Sequence, residues 1–256
     1  MKVLLNLLIP VKFFLVLLVT ILPHQINLIS RLLVRPFSPE RYVRLRHTLF
    51  NWWGRSFARV CGIRVKVEGE PPQGPFFLVS NHVSYVDAPL LGIFLDAVFI
   101  GKADLRSWPV LGWMFHTADT IFIDRARRKD LLRVLERVDE FRESGYGIVL
   151  FPEGTSGKGD RLLPFKPSLL QYPVARQIPV HWVTIHYRTP EGYPPAHNSV
   201  CWWGDELLLP HAVRLLRLPG FEAIVRFGQE PVESEDRKDL CEKLQQAMSA
   251  QFLPMA

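Results

Sequence analysis

The N-terminal residues 3–34 are the most apolar stretch of the chain, dominated by Leu, Val, Ile and Phe. Pro10 and Pro23 interrupt this stretch, and its cleanest apolar block, Phe13 to Leu22, covers ten residues. A helix that spans a bilayer needs about twenty apolar residues, and no small-residue cleavage site of a signal peptide follows. The pattern favours an uncleaved anchor that inserts shallowly or as a bent helix. A single spanning signal-anchor is the alternative.

The next segment has the periodicity of an amphipathic helix. Ser38-Pro39-Glu40 is a typical helix start, with proline in the first turn. Apolar residues then recur every three or four positions and form a stripe: Leu45, Leu49, Trp53, Phe57 and Val60. We expect the basic residues to lie mainly away from this stripe: Arg41, Arg44, Arg46, Arg55 and Arg59. The helix is predicted to pack on the main domain, to lie at a membrane surface, or to do both with different faces.

From about Ile63, short β-like runs alternate with helical patterns. The candidate strands are Phe76 to Ser80, Ala97 to Lys102, Thr120 to Asp124, Gly147 to Phe151, Val180 to Tyr187, Ser199 to Trp203 and Glu222 to Phe227. A helix is predicted from Arg128 to Ser144, with Gly145 as its stop. A terminal helix follows Ser234 and has Glu235 and Asp236 in its first turn.

This alternation is typical of an α/β domain, and we expect its sheet to be mixed. The chain is therefore divided into two predicted parts. Residues 1–62 form a membrane-associating segment, and residues 63–256 form the α/β domain.

The net charge of +6 is unevenly distributed. Up to Lys66 the chain has eleven Lys and Arg residues against one acidic residue, a balance of +10, and the remainder carries −4. Because the basic part is also the most apolar part, an anionic membrane surface is a better partner than nucleic acid. No nucleic-acid-binding motif is present, so no nucleic acid is predicted to bind.

The cysteines and two of the histidines indicate no metal or disulfide chemistry. Cys61, Cys201 and Cys241 are scattered and predict buried apolar residues in a reducing compartment. His181 and His186 lie in an apolar strand with no matching cysteine or carboxylate cluster, so we expect them to be core or surface residues.

A histidine and an aspartate follow the first strand of the domain. Residues 81–87 read Asn-His-Val-Ser-Tyr-Val-Asp, which places His82 at the carboxyl end of the strand, where α/β folds bind ligands. Asp87 can reach back to the His82 ring, fix its tautomer and leave the other ring nitrogen free as a base. No serine or cysteine nucleophile elbow is present, so direct attack by a substrate hydroxyl is the simpler interpretation. Taken alone this spacing is weak, because chance pairs are common.

A second motif, residues 151–156, reads Phe-Pro-Glu-Gly-Thr-Ser and follows another apolar strand. Proline and glycine on either side of Glu153 predict a tight turn whose backbone N–H groups can face a ligand. Taken alone, an ordinary β-turn with a surface glutamate explains this hexapeptide better than a binding site does.

Together the motifs resemble the glycerolipid acyltransferase family, which includes the lysophosphatidate acyltransferases. His82 and Asp87 precede Phe-Pro-Glu-Gly-Thr by about seventy residues. Residues 120–125 are similar to the second motif of that family, and residues 177–180 are similar to its fourth. The order of all four motifs matches over roughly residues 63–230.

The resemblance implies an O-acyltransferase in which His82 is the base and Asp87 orients it, while the substrate supplies the nucleophile. Glu153, Gly154 and Thr155 would shape the donor and oxyanion region. The donor would be an acyl-CoA or acyl carrier protein thioester, with no cofactor and no metal.

The resemblance also indicates how a phosphate-bearing acceptor would be held. Arg125 would bind the phosphate, since a guanidinium matches it with two hydrogen bonds; a salt bridge to Asp124 or Asp119 is the alternative. Lys166 would serve the headgroup or the donor.

Ser156 departs from the family pattern, which commonly has arginine at this position. Lysophosphatidate is the favoured acceptor, with Lys158 or Arg161 replacing the missing charge, and a lyso-ornithine lipid is the closest alternative. Glycerol-3-phosphate, another lysophospholipid and a non-catalytic lipid-binding scaffold are further alternatives. We expect the protein at the inner membrane, with its active site facing the cytoplasm.

Overall fold

Two long helices form the N-terminal part of the chain. The computed structural model describes residues 2–108, 111–124 and 128–255. Helix α1 (Lys2–Leu33) is continuous over 32 residues, with Pro10 and Pro23 inside it. Helix α2 (Pro39–Cys61) begins at the predicted proline and ends before Gly62, whose φ of 70° is the left-handed conformation that stops a helix.

The apolar part of α1 is longer than its cleanest block indicated. The segment Leu7–Leu33 has 27 residues and contains an 18-residue window with a mean hydropathy of 2.2, of which only 11% is buried. By length and composition this segment can cross a membrane. The prolines do not divide it, because the helix continues through both.

The domain contains a mixed sheet, as predicted. Over the described residues its seven strands are β1 (Ile63–Glu68), β2 (Phe77–Ser80), β3 (Ala97–Lys102), β4 (Ile121–Ile123), β5 (Gly147–Leu150), β6 (Val180–Arg188) and β7 (Phe221–Phe227). Their order is β1-β7-β6-β2-β5-β3-β4. Strands β6, β2, β5, β3 and β4 run parallel, whereas β7 is antiparallel to β6 and parallel to β1.

Six of the predicted strands are confirmed to within one or two residues, and the prediction for residues 199–203 is wrong. A short helix, α7 (Ala196–Ser199), ends there, and the apolar run that follows is a loop. The apolar, β-like composition of this loop is explained by burial and not by strand pairing, since Val200 and Cys201 are fully buried. Strand β1 was not predicted; it lies at the edge of the sheet, and charged residues alternate with its apolar ones.

The remaining helices cover the two faces of the sheet. They are α3 (Asp87–Leu91), α4 (Leu111–Thr117), α5 (Arg128–Glu143), α6 (Gln171–Ala175), α8 (Leu208–Leu216) and α9 (Arg237–Gln251), with short 3-10 helices at Ala103–Ser107 and Pro167–Leu170. Alternate residues of one strand point to opposite faces. Leu78 therefore packs with α2, α3 and α8, while Phe77 and Val79 pack with α5 and α9.

The predicted helices α5 and α9 are confirmed, with one correction at the start of α9. Asp236 caps this helix, since its carboxylate accepts the backbone N–H groups of Lys238 and Asp239 at 2.7 and 3.0 Å. It therefore precedes the first turn instead of lying in it.

Polar contacts attach the two N-terminal helices to the domain. Arg31 on α1 pairs with Asp119 at 2.8 Å. Arg46 on α2 is only 2% exposed, so the prediction that it lies away from the packed face is wrong. Its guanidinium donates to the carbonyl oxygens of Ala97 and Ala118 and lies 4.7 Å from the ring centroid of Tyr146. The guanidinium can be buried here because carbonyl oxygens accept its N–H groups and the Asp119 carboxylate lies 3.5 Å from its Nε.

Candidate active site

Parallel pairing of β2 with β5 brings the two main motifs together. Val79 of β2 is in register with Leu150 of β5, so the residues that follow each strand emerge at the same edge of the sheet. The Asn81 side chain continues the pairing with β6 beyond the end of β2. Its amide donates to the carbonyl of Ile185 at 3.0 Å and accepts the Ile185 N–H at 2.7 Å.

His82 and Asp87 form the predicted pair. His82 Nδ1 lies 2.8 Å from Asp87 Oδ2, and the same oxygen accepts the backbone N–H groups of Val83 at 2.8 Å and Ser84 at 3.0 Å. Because Asp87 is buried and acts as an acceptor throughout, this network assigns the ring proton to Nδ1. The arrangement leaves Nε2 of His82 without the proton, as a base requires.

Tyr187 is a third member of the network. Its hydroxyl donates to Asp87 Oδ1 at 2.7 Å, and the whole side chain is buried at the end of β6. Tyr187 lies one hundred residues after Asp87 along the chain, so no local sequence pattern predicts this contact. Only the pairing of β6 with β2 creates it.

The His82 ring is packed on one side and accessible elsewhere. It stacks on Phe151 with ring centroids 4.1 Å apart, and Phe151 stacks in turn on Phe99 at 6.1 Å. The side chain of His82 remains 26% exposed. The ring is therefore held in orientation while a substrate can still reach it.

Glu153 supports the backbone of His82. It is 3% exposed; Oε1 accepts the N–H of His82 at 3.0 Å, and Oε2 accepts the N–H of Leu163 at 3.2 Å. Burial raises the pKa of Glu153 to about 8, although both N–H donors oppose this rise. On the other side, the carbonyl of His82 accepts the N–H of Gly157 at 2.8 Å. The predicted part of Glu153 in shaping the donor region stays a prediction.

The turn after Glu153 has the predicted tight geometry. Gly154 has a φ of 73°, and its N–H donates to the carbonyl of Phe151 at 3.1 Å. Thr155 is exposed beside it. The backbone N–H groups of Thr155 and Ser156 have no acceptor among the described residues, so they are candidates for binding an oxyanion.

The predicted basic residues have different positions. Lys166 has an exposed side chain, and its N–H donates to the carbonyl of Pro152 at 2.9 Å. Lys158 Nζ lies 5.7 Å from the ring centroid of Trp203, and Arg161 is exposed. Arg125 lies outside the described residues, so its predicted phosphate contact stays a prediction.

The loop between α7 and α8 contacts the residues that follow His82, which the sequence did not indicate. The N–H of Trp202 donates to the carbonyl of Val83 at 2.8 Å, next to His82. The Trp202 ring lies edge-on to Tyr85 at 5.8 Å, and His211 lies 3.1 Å from the Tyr85 hydroxyl. Burial lowers the pKa of His211 to about 4, which keeps the ring neutral.

Known proteins are similar to this chain in sequence and in fold. Residues 63–187 match a sequence model of the family described as Acyltransferase. The chain is 37% identical over 210 residues to the lyso-ornithine lipid O-acyltransferase of Pseudomonas aeruginosa, covering 80% of this chain and 78% of that one. It is 31% identical over 199 residues to the 1-acyl-sn-glycerol-3-phosphate acyltransferase of Neisseria meningitidis, covering 77% and 78%.

A solved structure has the same fold over nearly the whole length. The crystal structure of the 1-acyl-sn-glycerophosphate acyltransferase of Thermotoga maritima superposes with a TM-score of 0.70 and covers 98% of each chain, with 24% sequence identity.

Proposed function

Because this chain belongs to the acyltransferase family, we propose that it transfers a fatty acyl group from a thioester to the free hydroxyl of a lysolipid, with His82 as the general base. The observation that carries this proposal is the network in which Asp87 holds His82 Nδ1 at 2.8 Å and is itself held by Tyr187 at 2.7 Å. It has the form of a Ser-His-Asp triad whose serine is replaced by the hydroxyl of the substrate.

His82 performs the proton transfers. Its Nε2 takes the proton of the acceptor hydroxyl as that oxygen attacks the thioester carbonyl carbon, which forms the new C–O bond. Asp87 stabilises the imidazolium that results. When the C–S bond breaks, His82 returns the proton to the leaving thiolate, so one ester and one thiol leave the site.

The turn after Glu153 stabilises the negative charge on the carbonyl oxygen during the attack. The N–H groups of Thr155 and Ser156 are the proposed donors. Each such donor contributes about 3 kcal/mol to transition-state stabilisation in enzymes of this kind. Glu153 acts through the backbone, since its contact with the N–H of His82 holds the base beside this turn.

We propose a lyso-ornithine lipid as the acceptor and lysophosphatidate as the second candidate. The sequence alone favoured lysophosphatidate, but the identity to a lyso-ornithine lipid O-acyltransferase is 37%, against 31% to a lysophosphatidate-type enzyme. Ser156 agrees with this order, because the family's usual arginine at that position would suit a phosphate. Lys158 and Lys166 are proposed to meet the carboxylate of the ornithine headgroup.

The donor is proposed to be acyl-CoA or acyl carrier protein, which present the same thioester. We place the protein at the inner membrane with its site on the cytoplasmic side, where such thioesters are made. The exposed apolar surface of α1 supports membrane attachment.

A thiol-release assay tests the proposal. Both donors are offered with lyso-ornithine lipid, lysophosphatidate, lysophosphatidylcholine and glycerol-3-phosphate. His82→Ala should lower kcat by about 10²- to 10⁴-fold, the usual contribution of a general base. The control is His181→Ala, a half-buried histidine on β6 beside Phe76, which should retain activity.

The acceptor pattern decides the substrate. Transfer to the ornithine lipid alone supports the first candidate, and transfer to lysophosphatidate alone supports the second with the mechanism unchanged. If no thiol is released with either donor and any of the acceptors, a lipid-binding scaffold is favoured over an enzyme.

A further inference from the structure

Several exposed apolar side chains lie on and around the loop between α7 and α8, next to the candidate active site. Outside α1 and the turn after it, the described residues include eight large apolar side chains that are well exposed. Four of them lie on the loop between α7 and α8, at the start of α8, or on a residue that packs against this loop: Trp203, Leu207, Leu209 and Trp108. We call these four the tryptophan lip. Leu207 is 73% exposed and Leu209 is 59% exposed. A cluster of this kind on a soluble surface marks a contact site.

The lip is connected to the segment that follows His82. Trp203 follows Trp202, whose N–H is bonded to the carbonyl of Val83, the residue after the base. Trp108 packs edge-on against Trp202 with ring centroids 5.7 Å apart. These contacts place the loop that carries Trp203 next to the segment that carries His82.

The lip is rigidly presented. Trp202 Nε1 donates to the carbonyl of Glu206 at 2.8 Å, and the Glu206 carboxylate pairs with Arg214 of α8 at 2.6 Å. His211 lies 3.0 Å from the carbonyl of Cys201 and ties α8 to the start of the loop. The exposure of Leu207 and Leu209 is therefore imposed by a braced loop.

The lip is also separated from α1 by only the length of helix α8. Helix α8 begins inside the lip and ends at α1, where Lys12 Nζ donates to the carbonyls of Leu216 and Leu218 at 3.3 and 2.9 Å. Nine residues of helix are about 13 Å long, so the lip lies close to this part of α1. Val11, beside Lys12 on α1, is itself exposed.

We propose that the tryptophan lip is a second membrane contact, which enters the interface of the bilayer beside the cleft and lets the lysolipid move to His82 without crossing water. This inference rests on the proposed lipid acceptor. Tryptophan is enriched at membrane interfaces because its ring is apolar and its N–H is polar. Lys158, which packs on Trp203 at 5.7 Å, adds a positive charge that suits anionic headgroups.

The test compares an acceptor in a bilayer with an acceptor in solution. In Leu207→Asp/Leu209→Asp, the lip gains two charges where it meets lipid. We expect kcat/KM to fall about tenfold or more for acceptor embedded in phosphatidylcholine–phosphatidylglycerol vesicles. For a short-chain acceptor dissolved as monomers, kcat/KM should stay unchanged, because that acceptor does not need the bilayer.

A matched control is Leu132→Asp. Leu132 is 65% exposed on α5, which packs on the opposite face of the sheet from α8. This variant should leave both activities unchanged. An equal loss by the control and the lip variant on vesicles would overturn the proposal, because charge repulsion alone would then explain the loss.

Other results identify other occupants. A loss with acyl carrier protein as donor, but none with acyl-CoA, would assign the lip to the donor protein. A change from dimer to monomer in the lip variant would assign it to a second copy of the chain. Equal losses on vesicles and on the soluble acceptor would place the lip residues in the reaction itself. Each of these results overturns the membrane role.

The proposal can be separated from the failure of the proposed activity. If the wild type transfers no acyl group, contact is measured by the quenching of tryptophan emission in vesicles that contain brominated lipid. Bromolipid should quench the tryptophan emission of the Trp203→Phe variant much less than that of the wild type, because Trp203 is expected to account for a large part of the quenching. No difference between wild type and this variant would overturn the membrane contact.

Discussion

The carboxylate of Asp87 illustrates what single residues contribute to the site. One oxygen accepts from His82 and from two backbone N–H groups, and the other accepts from the Tyr187 hydroxyl. A buried carboxylate with all these donors has one orientation, so the tautomer of His82 is set before a substrate arrives. His82 and Asp87 could be paired from the sequence because they are only five positions apart; the contact with Tyr187 could not.

Replacing Tyr187 tests how much this orientation matters. Tyr187→Phe keeps the ring but removes a buried donor, which costs about 1–3 kcal/mol where the lost partner leaves an acceptor unpaired. We expect kcat to fall about tenfold with little change in either KM. Tyr172→Phe is the control: the Tyr172 hydroxyl donates to Asp139 at 2.8 Å, away from the cleft. It should lower stability without lowering kcat; an equal fall in kcat for both variants would argue against a positioning role for Tyr187.

Glu153 makes stability depend on pH. Burial raises its pKa from 4.5 to about 8, so between these values the folded chain holds a proton that the unfolded chain releases. This contribution to stability is fully present below pH 4.5 and is lost as the pH rises through about 8. The free energy of unfolding should therefore fall with rising pH by up to about 1.4 kcal/mol per unit.

The Glu153→Gln variant isolates that effect. The amide does not titrate, so the fall in the free energy of unfolding that Glu153 causes between about pH 5 and pH 8 should be absent in this variant. The measurement is urea unfolding in detergent over that pH range. The variant should also lose activity, because its NH₂ group has to face one of the two backbone N–H donors. Parallel pH dependences in the two proteins would refute the raised pKa.

At the scale of elements, a short loop connects the chain terminus to the site. Gly157 donates to the carbonyl of His82, and two residues later the carbonyl of Gly159 accepts the N–H of Met255 at 2.7 Å. The Met255 side chain is buried, with its sulfur 3.3 Å from Cys201 Sγ. The C-terminal residues therefore hold the loop that carries Lys158.

Shortening Met255 should loosen this loop. Met255→Ala leaves a cavity beside Gly159, and such changes cost about 2–5 kcal/mol in a packed core. We expect the KM for the acceptor to rise severalfold while the KM for the donor changes little, and Met255→Leu should restore it. Leu253→Ala, at a more exposed position in the same segment, should have little effect. Equal rises in both KM values would indicate general damage to the fold.

At the scale of the whole molecule, α1 has two different sides, one packed on the domain and one proposed to contact the membrane. One side packs on the domain, where Asn27 donates to the carbonyl of Thr117 at 2.8 Å and Arg31 pairs with Asp119. The other side exposes Phe14, Leu18 and Leu22 at a spacing of four residues. Deleting α1 would therefore remove packing as well as the proposed membrane contact, so deletion is a poor test of either one.

Polar substitutions on the outer side separate the two roles. In Phe14→Ser/Leu18→Ser/Leu22→Ser, we expect the fraction of protein that sediments with vesicles to fall strongly. Stability in detergent should change little, because surface substitutions typically shift it by less than about 0.5 kcal/mol each. Val16→Ser is the control: Val16 packs against the core of the domain, so this change should destabilise the fold and leave vesicle binding intact. Unchanged sedimentation of the triple variant would contradict a membrane role for this side.

The sequence by itself determined most of the elements and the pairing of His82 with Asp87. Apolar runs predicted six of the strands, a periodic stripe predicted α2, start or stop signals predicted α5 and α9, and the spacing from His82 to Asp87 predicted their contact. These features depend on residues that are neighbours along the chain or on one helix, where periodicity expresses burial directly.

The tertiary structure alone decided which distant residues meet. The register of β6 with β2 places Tyr187 on Asp87, and the fold of the α7–α8 loop places Trp202 beside Val83. It also buries Arg46 among carbonyls and rings, although the position of Arg46 away from the apolar stripe predicted an exposed side chain. Each contact joins residues that are far apart in sequence, and its free energy depends on strand register and packing, which no local pattern of residues encodes.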